Sequence, residues 1–310
     1  MSYLATLISH PDRPAVTEAL AERVARHLRQ GRIAGALAPG VAMDIVFSAE
    51  TETSAGAAPH LLKKLKAELR PLIGDLPVDI VLQKQNGRRK KLLVADMDST
   101  MIGQECIDEL ADYAGFKSRV AAITKRAMEG ELAFAPALRE RVALLKGLPF
   151  ATIDRVIAER IRPTPGGATL VKTMRAHGAY TCVVSGGFTA FMTQLSPAIG
   201  FDEYRANTLL VDGAGRLTGE VAEPVLGREG KHDTLIALRE RFRLKREETL
   251  AVGDGANDVP LIEAAGLGIA FHAKPALREV AGACIDHGDL TALLYAQGYR
   301  REEFVEANTK

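Results

Sequence analysis

Four short apolar runs constrain this chain more than any other feature. They are "KLLVAD" (91–96), "TCVVSGG" (181–187), "TLAVGDG" (249–255) and "LGIAFH" (267–272). Each is long enough for a strand buried on both faces, and most stop at Asp, Ser or Gly. Helical stretches such as "GGATLVKTMRAHG" (166–178) and "KHDTLIALRERF" (231–242) separate the later ones. That rhythm predicts a Rossmann-like, mostly parallel sheet with helices on both faces, an α/β fold. "NTLLVDGAGRLTGEV" (207–221) breaks the rhythm and reads as a hairpin turning at Asp212 to Gly215. Residues 103–160 break it too. They read as helices throughout, from "QECIDELADYAG" to "ATIDRVIAERI". An insert there follows the first strand at its C-terminal end, where open sheets bind ligands, and is placed to act as a lid.

The first 85 residues form a separate small α/β unit. "YLATLI", "AMDIVF" and "PVDIVLQ" read as strands, and a further strand falls within "GRIAGALAP". Val16, Leu20, Val24 and Leu28 recur at helical spacing. The segment 86–91, "NGRRKK", carries +4, against +1 for residues 1–85 and −4 for 92–310, which together give the net +1. An Asn-Gly turn with a local basic cluster marks a domain boundary, read as a solvated basic linker. The expected organisation is therefore a small domain at 1–85 and a linker at 86–91. A core follows at 92–102 and 161–310, with a helical cap at 103–160.

Near-neutral charge gives no support for a nucleic-acid partner. Cys106, Cys182 and Cys284 are too far apart for a metal signature or disulfide framework, which suits a reducing compartment. The stretch "MSYLATLISHPDRP" lacks a basic start followed by an apolar core and a small-residue cleavage site, and no run of 18 apolar residues occurs. The expectation is a cytoplasmic protein with no membrane partner.

Chemistry concentrates at the strand ends. In "DMDST", Asp96 and Asp98 lie two apart, so in extended chain they point the same way and repel. A hard cation with oxygen ligands, such as Mg²⁺, would relieve this. A helix N-cap explains the same string, and alone it does not decide. Ser185 with Gly186 and Gly187 could cradle a phosphate or form an ordinary strand–turn–helix junction. Asp254 and Asp258 in "GDGAND" could hold a cation or form a polar turn. Lys231 is a surface lysine unless it neutralises these carboxylates. Together they supply the parts of phosphoryl transfer: an attacking carboxylate, charge neutralisation and a proton shuttle.

D-x-D-x-T at 96–100, Ser185, Lys231 and G-D-x-x-x-D at 253–258 resemble the four motifs of the haloacid dehalogenase-like phosphatases. "DMDSTMIGQECIDELA", "AMEGELAFAPALRERVALLKGL", "VVSGGFTAF" and "AVGDGANDVPLIEAAGLGIAFHAKP" are similar, within that superfamily, to the phosphoserine phosphatase family. Met97 stands where that family usually has Phe. The resemblance implies Mg²⁺-dependent hydrolysis of the small molecule O-phospho-L-serine, the last step of serine biosynthesis. A phosphotransferase, or a phosphatase for another small phosphomonoester, would use the same aspartyl-phosphate. An amino-acid sensor is the non-enzymatic alternative.

It also implies roles. Asp96 is the nucleophile and Asp98 the general acid and base. Asp96, the Asp98 carbonyl and Asp254 hold the metal, while Thr100 and Asp258 support the site. Ser185, Gly186 and Lys231 contact phosphate, and Asn257 lines the site. Glu105 receives the substrate ammonium and Arg141 its carboxylate, and Met128 and Phe134 close over it. The N-terminal unit is similar to amino-acid-binding regulatory domains of β-α-β-β-α-β order, although Ala15 stands where their first turn has Gly. That implies an amino-acid effector such as serine or glycine, or homodimer formation, with a purely packing domain as the alternative.

Overall fold

The computed structural model describes residues 1–49, 57–128 and 131–306. The small domain runs β1 (Ser2–Ser9), α1 (Glu18–His27), β2 (Arg32–Ala38), β3 (Ala42–Ser48), α2 (Ala57–Ile73) and β4 (Val78–Lys84). Its antiparallel sheet has the order β2-β3-β1-β4. Thr17 caps α1 by accepting the Leu20 N–H at 3.2 Å. The helical stripe of Val16, Leu20, Val24 and Leu28 is buried with Tyr3, Ala5 and Leu7 of β1. Residues on the opposite sheet face, Ile8 and Val81, join the core of the larger domain. Both faces of this sheet are therefore covered.

The larger domain begins with β5 (Leu92–Asp96). A cap of four helices follows: α3 (Cys106–Tyr113), α4 (Lys117–Met128), α5 (Phe134–Ala143) and α6 (Thr152–Arg160). The chain returns through α7 (Gly167–Ala176), β6 (Tyr180–Phe188), α8 (Thr189–Ile199) and β7 (Glu203–Asn207). The hairpin β8 (Leu209–Val211) and β9 (Leu217–Val221) leads to α9 (Arg228–Arg241) and β10 (Thr249–Gly253). Last come α10 (Val259–Ala264), β11 (Leu267–Phe271), α11 (Pro275–Val280), β12 (Ala283–Ile285) and α12 (Ala292–Ala296). The six-stranded sheet has the order β12-β11-β10-β5-β6-β7, with parallel pairs throughout.

The period of two along β5 explains its burial. Leu93 and Ala95 face one helical layer, Leu92 and Val94 the other. This is the expected fold class: a Rossmann-like core, an inserted helical cap and a small α/β domain. Ile102 and Pro163 form an antiparallel bridge where the chain leaves and re-enters the core, so the cap hangs on two adjacent connections. Among the described residues no helix is long and apolar enough to cross a membrane.

The structure corrects two local readings. The basic segment at 86–91 is not solvated throughout. Arg88 donates to Asp44 Oδ2 at 2.6 Å and to the carbonyls of Tyr295 and Ala296 at 3.1 and 3.2 Å. Lys90 is buried and donates to the Gly87 and Glu247 carbonyls. Arg88 therefore joins the two domains, and Lys90 ties the linker to the larger one. Asp79 of β4 reinforces the junction by accepting the backbone N–H groups of Asp286, His287 and Gly288 at 2.9, 3.1 and 2.9 Å. The second correction concerns Asn207, read as the start of a hairpin. It ends the edge strand β7, and the hairpin starts at Leu209. "EYRAN" is only half-buried and has no apolar run to announce a strand.

Candidate active site

The carboxylate pair sits where β5 ends. Asp96 accepts the Met97 N–H at 2.8 Å. The chain then makes one wide turn, Met97–Met101, closed by Ile102 N–H to Met97 O at 3.1 Å. Wide turns of this kind gather at functional sites. Ser99 holds φ +55°, a left-handed conformation costly for a residue with a Cβ. Its hydroxyl donates to Glu105 Oε1 at 2.7 Å. Met97 is buried in the core, pointing away from the acids.

Asp98 has two partners from distant parts of the chain. Oδ1 accepts the Cys106 N–H at 2.8 Å, at the start of cap helix α3. Oδ2 accepts the Ser185 hydroxyl at 2.7 Å. Asp98 thus satisfies the first N–H of α3 from outside the helix, whose own N-cap residue is Glu105, and the side chain that caps the turn at 97–101 is that of Asp96. Ser185 Oγ in turn accepts the Gly187 N–H at 2.7 Å. A Cβ on Gly187 would lie 2.9 Å from that oxygen, so glycine is required by the close approach.

Lys231 Nζ lies 2.7 Å from Asp96 Oδ1 and 2.7 Å from Asp258 Oδ1, with the lysine side chain 1% exposed. Asp258 Oδ2 accepts the Asp254 and Gly255 N–H groups, both at 3.2 Å. Lys274 Nζ approaches Asp254 Oδ2 at 3.2 Å. Burial pulls the Lys231 ammonium toward neutrality, but Asp258 and Asp96 outweigh it and hold the lysine charged. Burial, then Asp258, push Asp96 well above the usual carboxylate range in spite of Lys231. Burial also raises Asp254. Among the described residues the ammonium groups paired with Asp96, Asp98, Asp254 and Asp258 are Lys231, on Asp96 and Asp258, and Lys274, on Asp254. Fully ionised, the acids exceed the ammonium groups, and a cation would offset the surplus. Buried carboxylate oxygens of Asp96, Asp254 and Asp258 lie within 4.8 Å of one another, which fits a hard divalent ion.

The cap closes one side. A Cβ on Gly186 would lie 2.8 Å from Phe134 Cζ, and one on Gly227 would lie 3.1 Å from Phe134 Cδ1. The Phe134 ring at the start of α5 therefore seats in a notch between two glycines of the core. Arg141, one helix face further along, is half-buried and anchored by Nε to the Ala137 carbonyl at 3.3 Å. Burial is the main influence on its guanidinium, followed by the charges of Asp108, Glu105 and Asp98. Crowding by protein atoms, then the charge of Asp98, push the Glu105 carboxyl up to about 7. Its surface stays open to solvent, so this is an acid in a cleft and not in a dry core.

Asp96, Asp98, Ser185, Gly186, Lys231, Asp254 and Asp258 thus converge at the strand ends, with Glu105, Phe134 and Arg141 brought in by the cap. Asn257 is exposed in the turn before Asp258. Thr100 is fully buried, but its hydroxyl has no hydrogen-bond partner, so it does not orient Asp96 by one. The Met128 side chain lies outside the described residues. Sequence reasoning missed Ser99, Lys274 and the Cys106 N–H. Lys274 stands two residues beyond the fourth apolar run, the one strand end not followed into the site.

The haloacid dehalogenase-like hydrolase family model matches residues 93–263. The phosphoserine phosphatase of Methanocaldococcus jannaschii is 43% identical over 207 residues, covering 67% of this chain and 97% of that protein. The phosphoserine phosphatase of Mycobacterium tuberculosis is 42% identical over 260 residues and 83% of this chain, which spans only 63% of that longer protein. Among solved structures, a HAD family hydrolase from Salmonella enterica serovar Typhi superposes with a TM-score of 0.78 at 29% identity, covering 95% of this chain and 98% of the other. A phospho-aspartyl intermediate analogue of phosphoserine phosphatase matches at TM-score 0.61 and 43% identity, over 66% of this chain and 98% of the other. The chain belongs to the haloacid dehalogenase-like hydrolases and, within them, to the phosphoserine phosphatase family.

Proposed function

We propose that this chain hydrolyses O-phospho-L-serine to L-serine and phosphate through an aspartyl-phosphate on Asp96, with Mg²⁺ as its metal. The observation that carries the mechanism is the buried Asp96 carboxylate, held by Lys231 at 2.7 Å beside Asp254 and Asp258. In the first step an Asp96 oxygen bonds to phosphorus and the bond to the serine oxygen breaks. Asp98 gives that oxygen its proton. In the second, Asp98 takes a proton from water, which attacks phosphorus and releases Asp96 and phosphate. Ser185 turns its hydroxyl from Asp98 to a phosphoryl oxygen, and Lys231 supports another. Mg²⁺, held by Asp96, Asp254 and the Asp98 carbonyl, would supply charge neutralisation for the transferred group. Asp258 is occupied by Lys231 and two N–H groups, which suits a supporting role.

The serine assignment rests on Glu105 and Arg141, one anion and one cation for a zwitterion. A phosphate-release panel of small phosphomonoesters, with Mg²⁺ or with chelator, tests it. Arg141→Ala should raise KM for O-phosphoserine roughly 10- to 100-fold, the worth of a charge-assisted pair. A simple aryl phosphate should be unaffected. Equal changes for both esters would remove serine from the proposal.

Glu105 adds a pH signature. With its carboxyl held up to about 7, it is mostly protonated at pH 6 and mostly ionised at pH 8. Only the ionised form attracts an ammonium, so affinity for L-serine should rise about tenfold across that interval. L-serine inhibition constants measured with Glu105→Gln should be flat with pH. A slope unchanged by that substitution would assign the titration to another group.

A further inference from the structure

We propose that Asn207 is a positioning residue that locks the two halves of the phosphate cradle together. The proposal deepens the phosphatase reading and rests on it for the identity of the cradle. Asn207 is 3% exposed, at the end of β7. Its Nδ2 donates to the Gly186 carbonyl at 2.9 Å and to the Leu226 carbonyl at 3.0 Å. Its Oδ1 accepts the Leu226 N–H at 2.6 Å. Both amide hydrogens and the oxygen are used. The partners fix which atom is which, because two carbonyls can face only the nitrogen.

The two segments it joins are those that carry Ser185 and Lys231. Between β6 and β7, Val184 pairs with Arg205 and Phe188 with Asn207. Four residues on one strand thus match two on the other, and Ser185–Gly187 bulge out of the ladder. The sheet does not hold the Gly186 carbonyl, and the Asn207 amide does. On the other side, Leu226 precedes Gly227, the N-cap of α9, and Lys231 N–H donates to Gly227 O at 3.2 Å. The Asn207 amide pairs with Leu226 as a strand backbone would. It thereby sets the distance between the bulge and the helix start. Phe134 of the cap sits beside both anchor points, Gly186 and Gly227.

Asn207→Asp is the sharpest test. It keeps the shape but turns two donors into acceptors, so the Gly186 and Leu226 carbonyls would face a carboxylate. A displacement of about 1 Å between Ser185 and Lys231 should lower kcat/KM roughly 100-fold. The loss should fall on kcat and on affinity for inorganic phosphate, measured as an inhibition constant and by calorimetry with Mg²⁺. Phosphate should bind about tenfold more weakly, while L-serine, held by the cap, should change less than twofold. Circular dichroism selects folded protein. If Asn207→Asp does not fold, Asn207→Ser, which leaves β7 intact and keeps one small donor, carries the same readouts. Equal losses of phosphate and L-serine affinity, or unchanged phosphate affinity in a folded variant, would overturn the proposal. The substrate reading fails separately, if the wild-type protein binds phosphate but does not hydrolyse O-phosphoserine. If the wild type binds no phosphate, there is no cradle and the proposal falls.

Discussion

Asp96→Asn should abolish phosphate release while leaving the fold intact or slightly more stable. The two effects separate because the carboxylate is essential as a nucleophile but is surplus charge for stability. Asn keeps the shape, and its oxygen can still accept from Lys231, now 2.7 Å from Asp96 Oδ1. It cannot attack phosphorus as a carboxylate does, and kcat should fall on the order of 10⁶-fold, the scale of losing a covalent nucleophile. Burial and Asp258 already push the Asp96 carboxyl well above its ordinary range, so its charge is costly in the folded state. Replacing it by an amide removes one acid from an acid-rich site. The apparent Tm without metal should hold or rise, and the further rise on adding Mg²⁺ should shrink. Acid quenching with phosphate-labelled substrate should trap a labelled protein in the wild type and none in the variant. Retained turnover would dismiss Asp96 as nucleophile.

The acid-to-amide comparison shows which parts of the site could be read from sequence. Asp96, Ser185 and Asp254 were legible because each stands at the end of a short continuous apolar run, the signal of a strand buried on both faces in a parallel sheet. Lys231 was not legible by itself, since "REGKHD" looks like a solvated helix start. Its signal lies further on. Lys231, Thr234, Leu235 and Leu238 are the buried face of α9, so the lysine occupies an apolar position of the helical stripe. A charged residue in such a stripe needs a buried partner, and here it has two.

Contacts made by the backbone, by contrast, left no trace in residue types. The Cys106 N–H that holds Asp98 would be present whatever side chain stood at 106. Asn207 escaped because its strand is polar and lies at the sheet edge, where burial does not select apolar residues. The junction of the small domain was misread for a similar reason. A run of basic residues looks solvated until the fold brings Asp44 and two helix-end carbonyls to Arg88. The buried Thr100 hydroxyl has no hydrogen-bond partner, so any support it gives the site comes through packing, which a motif position does not announce.

Lys231→Met is the complementary case, in which stability and catalysis should fall together. The methionine fills the same volume but leaves Asp96 and Asp258 side by side without their cation. Removing one partner of a buried pair costs about 3–5 kcal/mol, because the remaining charge has neither water nor counter-charge. Turnover should drop roughly 10³-fold, since the transferred phosphoryl group loses one of its positive contacts. The sign of the pH dependence separates this account from simple loss of packing. Without Lys231 the two carboxyls bind protons more tightly in the folded than in the unfolded chain. Folded stability of the variant should therefore decline as pH rises, and its deficit against the wild type should narrow toward pH 5. Adding Asp258→Asn to Lys231→Met should recover much of the stability by removing one of the stranded charges, without restoring turnover. Urea unfolding of the three proteins at pH 5 and pH 8 would decide the matter. A deficit independent of pH, and not relieved by Asp258→Asn, would mean that Lys231 supports the fold by packing and not by neutralising the acids.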